Sequence, residues 1–155
     1  MVANASIVTD IITSIKTLIE TNVTDPVSAT RPATTRFVLT AYPKTRVYYP
    51  TIIVTQSGGR DNPHTIGGGG ETRVVTIRLK IEVWSDNVTE RNTVWDELYD
   101  ELRTHFSTAD GSGHSITGYY IQTFNMLSCS ELDTPLAGGS IRRKVAEFQL
   151  KFYAN

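Results

Sequence analysis

Residues 72–87 read TRVVTIRLKIEVWSDN, and this stretch decides the fold. Val75, Ile77, Leu79, Ile81 and Val83 fall on one side of an extended chain, while Thr76, Arg78, Lys80 and Glu82 fall on the other. Strict alternation of this kind predicts a β-strand over Thr72–Trp84 with one face in a core and the other wet or partnered. Ser85-Asp86-Asn87 then offers helix-capping side chains, and Val88, Trp95, Leu98, Tyr99, Leu102 and Phe106 recur at helical spacing. A strand therefore leads directly into a packing helix over about Val88–Phe106.

Working outward, Val8, Ile11, Ile12, Ile15, Leu18 and Ile19 form the apolar stripe of a first amphipathic helix, roughly Ile7–Thr21. Its β-branched content lowers its intrinsic propensity, so docking must hold it. Pro26, Pro32 and Pro43 break the next stretch, Asn22–Lys44, into an irregular connection with one extended piece at Arg36–Thr40. Tyr48–Gln56, Tyr119–Cys129 and the alternating carboxyl-terminal run through Phe148, Leu150 and Phe152 read as further strands. Between the first two strands lies Ser57–Glu71, with Gly58-Gly59, Asn62-Pro63 and Gly67–Gly70, much longer than a tight hairpin requires. The expectation is an α+β domain over residues 1–155. It has two layers: a largely antiparallel four-stranded sheet covered on one face by two helices, with a long Gly-rich hairpin arm.

Composition narrows the function. With 155 residues, 15 Lys plus Arg, 16 Asp plus Glu and a net charge of −1, the chain lacks the basic excess that drives bulk nucleic-acid or anionic-membrane binding. Its longest aliphatic runs are far short of the roughly 20 residues a spanning helix needs, and no secretory leader pattern opens the sequence, so a soluble protein without a membrane partner is expected. The single cysteine, Cys129, excludes an intramolecular disulfide and suits a reducing cytoplasm. Within a strand pattern it reads as a buried, inert thiol.

Chemistry is hard to find. The glycine run lacks a following Lys-Ser/Thr and leads into a strand, so no phosphate loop is expected. His64, His105 and His114 form no metal-binding pair, and no nucleophile elbow occurs. No enzyme activity, cofactor or metal is expected. Asp96, Glu97, Asp100 and Glu101 line the helix face opposite Trp95 and Leu102 and include two like-charge i,i+4 pairs that a cationic neighbour would relieve. Arg78 and Lys80 on the strand's non-core face, with Arg142, Arg143, Lys144 and Lys151 around the last strand, supply such cations. Three readings stay open: a head-to-tail subunit interface using Arg78, Lys80, Asp96, Asp100, Glu101, Arg142 and Arg143; a DNA-facing wall; or solvated surface charge.

Four features together resemble the tail terminator (tail-completion) proteins of long-tailed bacteriophages and head-tailed archaeal viruses: the opening helix; Tyr49-Pro50-Thr51-Ile52-Ile53-Val54; the passage Ile81-Glu82-Val83-Trp84-Ser85 into a helix carrying Trp95, Leu98 and Leu102; and the closing Phe148-Gln149-Leu150-Lys151-Phe152. The resemblance covers most of the chain in order, size and hydrophobic profile. It implies a non-enzymatic virion protein, made in the host cytoplasm and placed at the head–tail junction. Copies would assemble as a ring, usually a hexamer, which caps the tail tube protein, stops its polymerisation and meets a neck or head-completion protein. DNA would pass through without sequence-specific contact. In this picture Arg60, Asp61 and His64 on the Gly-rich arm are polar anchors toward the tube or a neighbouring subunit. Two rivals share the sequence features: a head-completion or neck protein of the same virion, and an unrelated α+β module binding a small ligand or nucleic acid.

Overall fold

The computed structural model describes residues 4–45, 47–64, 72–106, 115–116, 119–136 and 139–154. In chain order the elements are α1 (Asn4–Asn22), β1 (Val38–Leu39), β2 (Thr51–His64), β3 (Thr72–Ser85), α2 (Val88–Phe106), β4 (Ser115–Ile116), β5 (Tyr119–Leu136) and β6 (Gly139–Ala154). They build one sheet in the order β1-β2-β3-β6-β5-β4. The four long strands are antiparallel as expected. Two short strands extend this sheet: β1, inside the extended piece expected at Arg36–Thr40, pairs parallel with β2, and β4, which was not expected, closes a small hairpin onto β5, giving six strands where four were expected. A two-residue strand carries too little alternation to show its partner or direction in the sequence.

The alternation of β3 is realised in full. Val75, Ile77, Leu79, Ile81 and Val83 are buried and face, across the register, Phe152, Leu150, Phe148, Ala146 and Lys144 of β6. Over that face lie the helices, α1 against β1 and β2, and α2 against β3, β5 and β6. α1 buries Ile7, Ile11, Ile15 and Ile19; α2 buries Val94, Trp95, Leu98, Leu102 and Phe106. Each fully buried aliphatic contributes about 1.5–3 kcal/mol, whereas the propensity deficit of a β-branched helix residue is below about 0.7 kcal/mol, so docking wins. The cap forms as predicted: Asn87 Oδ1 accepts from the Glu90 amide at 3.1 Å, and Glu90 reaches back to accept from Ser85 Oγ at 2.7 Å. Val88, expected on the buried stripe, is exposed because it opens the helix before the stripe turns inward.

Two strand boundaries need correction. β2 does not stop at Gln56: it continues through Gly58-Gly59 and Pro63 to His64, in register with β3 down to His64↔Thr72. A bulge between Gln56 and Gly58 absorbs the irregularity. At Gly59 a Cβ would come within 3.3 Å of the Thr76 carbonyl oxygen, so the glycine marks a close approach within a ladder rather than a turn. Residues 57–64, expected in an arm, are thus strand, and the Gly67–Gly70 part of that arm lies outside the described residues. β5 runs beyond Cys129 to Leu136, with Pro135 accommodated on a strand next to the sheet's edge. No described helix is long and apolar enough to cross a membrane.

Candidate functional site

The sheet face away from the helices carries the chemistry. Because Glu82 lies at an even step from Arg78 and Lys80, its side chain shares that face, and the register sets it among Ile53 of β2 and Val145 and Arg143 of β6. Glu82 is fully buried there. Tyr42, from the irregular connection, covers it and donates to Oε1 at 3.1 Å. Lys80 donates to the same oxygen at 3.0 Å and to the Tyr42 hydroxyl at 3.0 Å. Trp84 Nε1 donates to Oε2 at 2.6 Å, and Arg143 Nη2 spans both oxygens at 2.9 and 3.1 Å. The rings complete the shell: the Arg143 guanidinium lies 5.1 Å from the Trp84 ring centre, and Lys80 lies 5.7 Å from that of Tyr42.

Burial alone would raise the Glu82 carboxyl, but the hydrogen bonds from Trp84 and Lys80 and the charges of Arg143 and Lys80 outweigh it and hold the group below its ordinary value. The hydrogen bonds to Tyr42 and Glu82 raise the Lys80 ammonium. A carboxylate saturated with donors is a structural anchor, with no lone pair left poised for proton transfer.

This arrangement redistributes the charges singled out in the sequence. Lys80 and Arg143 serve Glu82. Arg142 pairs with Asp133 of β5, and Asp100 with Arg103 at 3.0 Å on its own helix. Glu97 is not part of a free acidic face: it accepts from the amide and hydroxyl of Thr24 at 2.9 and 2.8 Å, pinning the chain after α1 to α2. Lys144 belongs to the helix side, 5.4 Å from the Trp95 ring centre and 3.6 Å from Glu131, which also receives the buried Arg91 at 3.0 Å. Among the described residues, Arg78 and Lys151 on the outer sheet face and Asp96 and Glu101 on α2 have no ion-pair partner. Arg78 and Lys151 are diagonal neighbours, since Arg78 faces Gln149 and Thr76 faces Lys151. Arg60, Asp61 and His64 sit in β2 opposite Thr76, Val75 and Thr72; the contacts expected of their side chains lie outside the described residues, as does His114.

Cys129, expected buried, is exposed. The reason lies in β5, whose residues Asn125–Asp133 are all exposed although they alternate between the two sheet faces. α2 reaches this part of the strand through the Arg91–Glu131 pair and beside Met126, and leaves Cys129 between them exposed.

A second arrangement invisible to sequence patterning organises the connection between α1 and β2. Arg31, nearly buried, grips Asp25 through Nε at 2.5 Å and Nη2 at 3.0 Å and donates to the carbonyls of Tyr48 and Pro50 at 2.7 and 2.6 Å. Its guanidinium packs on Phe37 and Tyr48. Beside it an open cleft of about 660 Å³ is lined by Pro32, Thr34, Thr35, Tyr48, Asp86 and Glu90. The cleft lining brings together two carboxylates, one of them already engaged by Ser85, with threonine and tyrosine hydroxyls and no histidine or cysteine. Among the described residues no group of His, Cys, Asp and Glu is disposed to hold a metal.

No protein-family model matches the sequence, and comparison with curated proteins finds no match. The backbone is similar to that of a chain in the virion of a native gene transfer agent (GTA) particle, with a TM-score of 0.55, covering 96% of this chain and 98% of that one. At 11% identity, the two chains share a fold from end to end.

Proposed function

We propose that the chain is a non-enzymatic structural protein of a virion, and within it a tail terminator. Copies form a ring, hexameric in the leading case, that caps the head-proximal end of the tail tube, halts its growth and joins tail to neck. The observation that carries this reading is the likeness, over nearly the whole of both chains, to a component of a gene transfer agent virion. The sequence profile supports it independently, and so does the character of the buried charges, which brace the sheet rather than converge on a reactive atom.

Growth of a tube with exposed addition sites stops when a last ring binds below and offers no further addition site above. A rigid two-layer subunit suits that role. Among the described residues, Arg78 and Lys151 on the sheet face and Asp96 and Glu101 on the helix layer have no ion-pair partner; with Lys80 and Arg143 against Glu82 and Glu147 the sheet face keeps a cationic excess, so the wall of the ring has two faces of opposite sign. The sheet face then lines the DNA conduit, where cations meet phosphates without reading bases.

Electron microscopy of particles assembled without this chain tests the role. Tails of unregulated length, separated from heads, are expected. Tails of normal length joined to heads contradict the proposal, and normal-length tails lacking only the head joint reassign the chain to the neck.

A further inference from the structure

Both sides of the sheet end in long strands whose outer edges, among the described residues, are paired over only two residues each. On one side β1 covers β2 only at Ile52 and Ile53. On the other, among the described residues, β4 covers β5 only at Tyr119 and Tyr120. The two short covers sit at opposite ends of the sheet, because Ile52 and Ile53 share rows with Lys144 and Val145 of β6, whereas Tyr120 shares a row with Tyr153 near the end of that strand. Between them, among the described residues, each edge presents a run of backbone donors and acceptors with no strand beside it.

Strand direction makes the two edges compatible. β2 is antiparallel to β3, β3 to β6 and β6 to β5, so β5 runs opposite to β2. A second copy placed beside the first by rotation about an axis along the strands brings its β2 against β5 as an antiparallel neighbour, continuing the alternation. The rows agree as well. Gln56, Leu79, Phe148 and Met126 lie in one row, and Val54, Ile81, Ala146 and Cys129 in another. Each edge strand carries a bulge next to the first of these rows, Gln56/Gly58 on β2 and Met126/Ser128 on β5. On β5 that region projects apolar side chains, with Met126 and Leu127 exposed by 42% and 46%. On β2 it presents Ser57-Gly58-Gly59, where a bulky apolar neighbour meets little side-chain resistance.

From these features we infer that the sheet continues from copy to copy, with Phe124–Cys129 of β5 pairing antiparallel with Val54–Gly59 of β2 in the next copy. The contact uses two different surfaces, so it is head-to-tail and propagates past the dimer, and it makes the ring proposed above when the rotation between copies closes. Backbone pairing supplies the register, and Met126 and Leu127 supply the apolar burial. This rests on the ring reading above and names the surfaces that join it.

Disulfide trapping tests it on the full chain. With Cys129→Ser as background, Gln56→Cys and Met126→Cys place two thiols in one row on the same face of the proposed joint, where directly opposed Cβ atoms lie about 4.5–5.5 Å apart. Mild oxidation of the double variant should give a ladder of covalent multiples of 17.2 kDa extending past the dimer, while each single variant stays uncrosslinked. A ring seen by native mass that does not crosslink in the double variant overturns the edge pairing and leaves the ring. Crosslinked dimers from Met126→Cys alone overturn it in favour of a two-fold β5–β5 contact. A chain that neither assembles nor crosslinks, alone or with tail tubes added, sinks both readings together.

Discussion

The Arg143 guanidinium on β6 holds both carboxylate oxygens of Glu82 on β3, at 2.9 and 3.1 Å, on the face of the sheet that no helix covers. Two residues that read in the sequence as a surface cation and one more polar step in an alternating strand are the centre of a buried ionic anchor. It ties together the two middle strands and, through Tyr42, the connection that precedes β2.

Replacing Glu82 by Gln keeps the shape and removes the charge. Two cations are then left beside a neutral amide, and because Arg143 and Lys80 retain partial solvent access, the loss should be about 2–3 kcal/mol, at or below the low end for breaking a buried pair. Urea unfolding at neutral pH measures it.

The same carboxylate sets an acid dependence. Its folded value lies below the unfolded 4.5, so its contribution is complete above about that pH and is lost as pH falls through the folded value. Lys80 acts in the opposite direction: its folded value lies above 10.5, so its contribution is complete below that pH and disappears as pH rises through the folded value. Stability curves of the wild type and Glu82→Gln should converge on acidification below pH 4.5. Parallel curves would remove Glu82 from the acid transition.

Arg31→Ala leaves the Asp25 carboxylate and the Tyr48 and Pro50 carbonyls without their donor, a loss of about 2–4 kcal/mol for a charge-assisted cluster of this burial. Limited proteolysis should cut within residues 26–49 of the variant before the sheet unfolds. Uniform resistance along that segment would show that its proline and threonine turns suffice.

How much of this was legible follows from the range of each signal. The helix Val88–Phe106 and the burial of β3 depend on local periodicity and capping, and both read directly from Val75 to Phe106. β2 was cut short because Gly58-Gly59 and Asn62-Pro63 are turn formers in isolation, whereas pairing with β3 overrides that preference. Cys129 lies in a strand pattern, but its burial depends on whether a helix reaches that far, which is a tertiary matter. Glu82 offered one clue, a lone carboxylate between two basic positions and a tryptophan, Arg78, Lys80 and Trp84, on a single face. Arg31 offered none, since its partners are two backbone carbonyls and an aspartate separated from it by turns.

Exposure of Cys129 gives a simple check on the open stretch of β5. The thiol of the folded monomer should react with a disulfide reagent as fast as that of the urea-unfolded chain. Protection by a large factor in the monomer would mean that the strand is covered.

Charge reversal separates two ways of building the ring. If edges join the copies, Asp96→Lys with Asp100→Lys leaves the assembled mass unchanged, whereas Leu127→Asp lowers it to that of a single chain that is still folded by circular dichroism. The opposite pattern would return the interface to the acidic face of α2.

The most direct test of the account is the native mass of the purified chain over a range of concentrations, alone and with tail tubes added. Six copies of 17.2 kDa give about 103 kDa, and a species of that mass, free or bound at tube ends, is the predicted result. A chain that stays at one or two copies under every condition, and never binds a tube end, would contradict it.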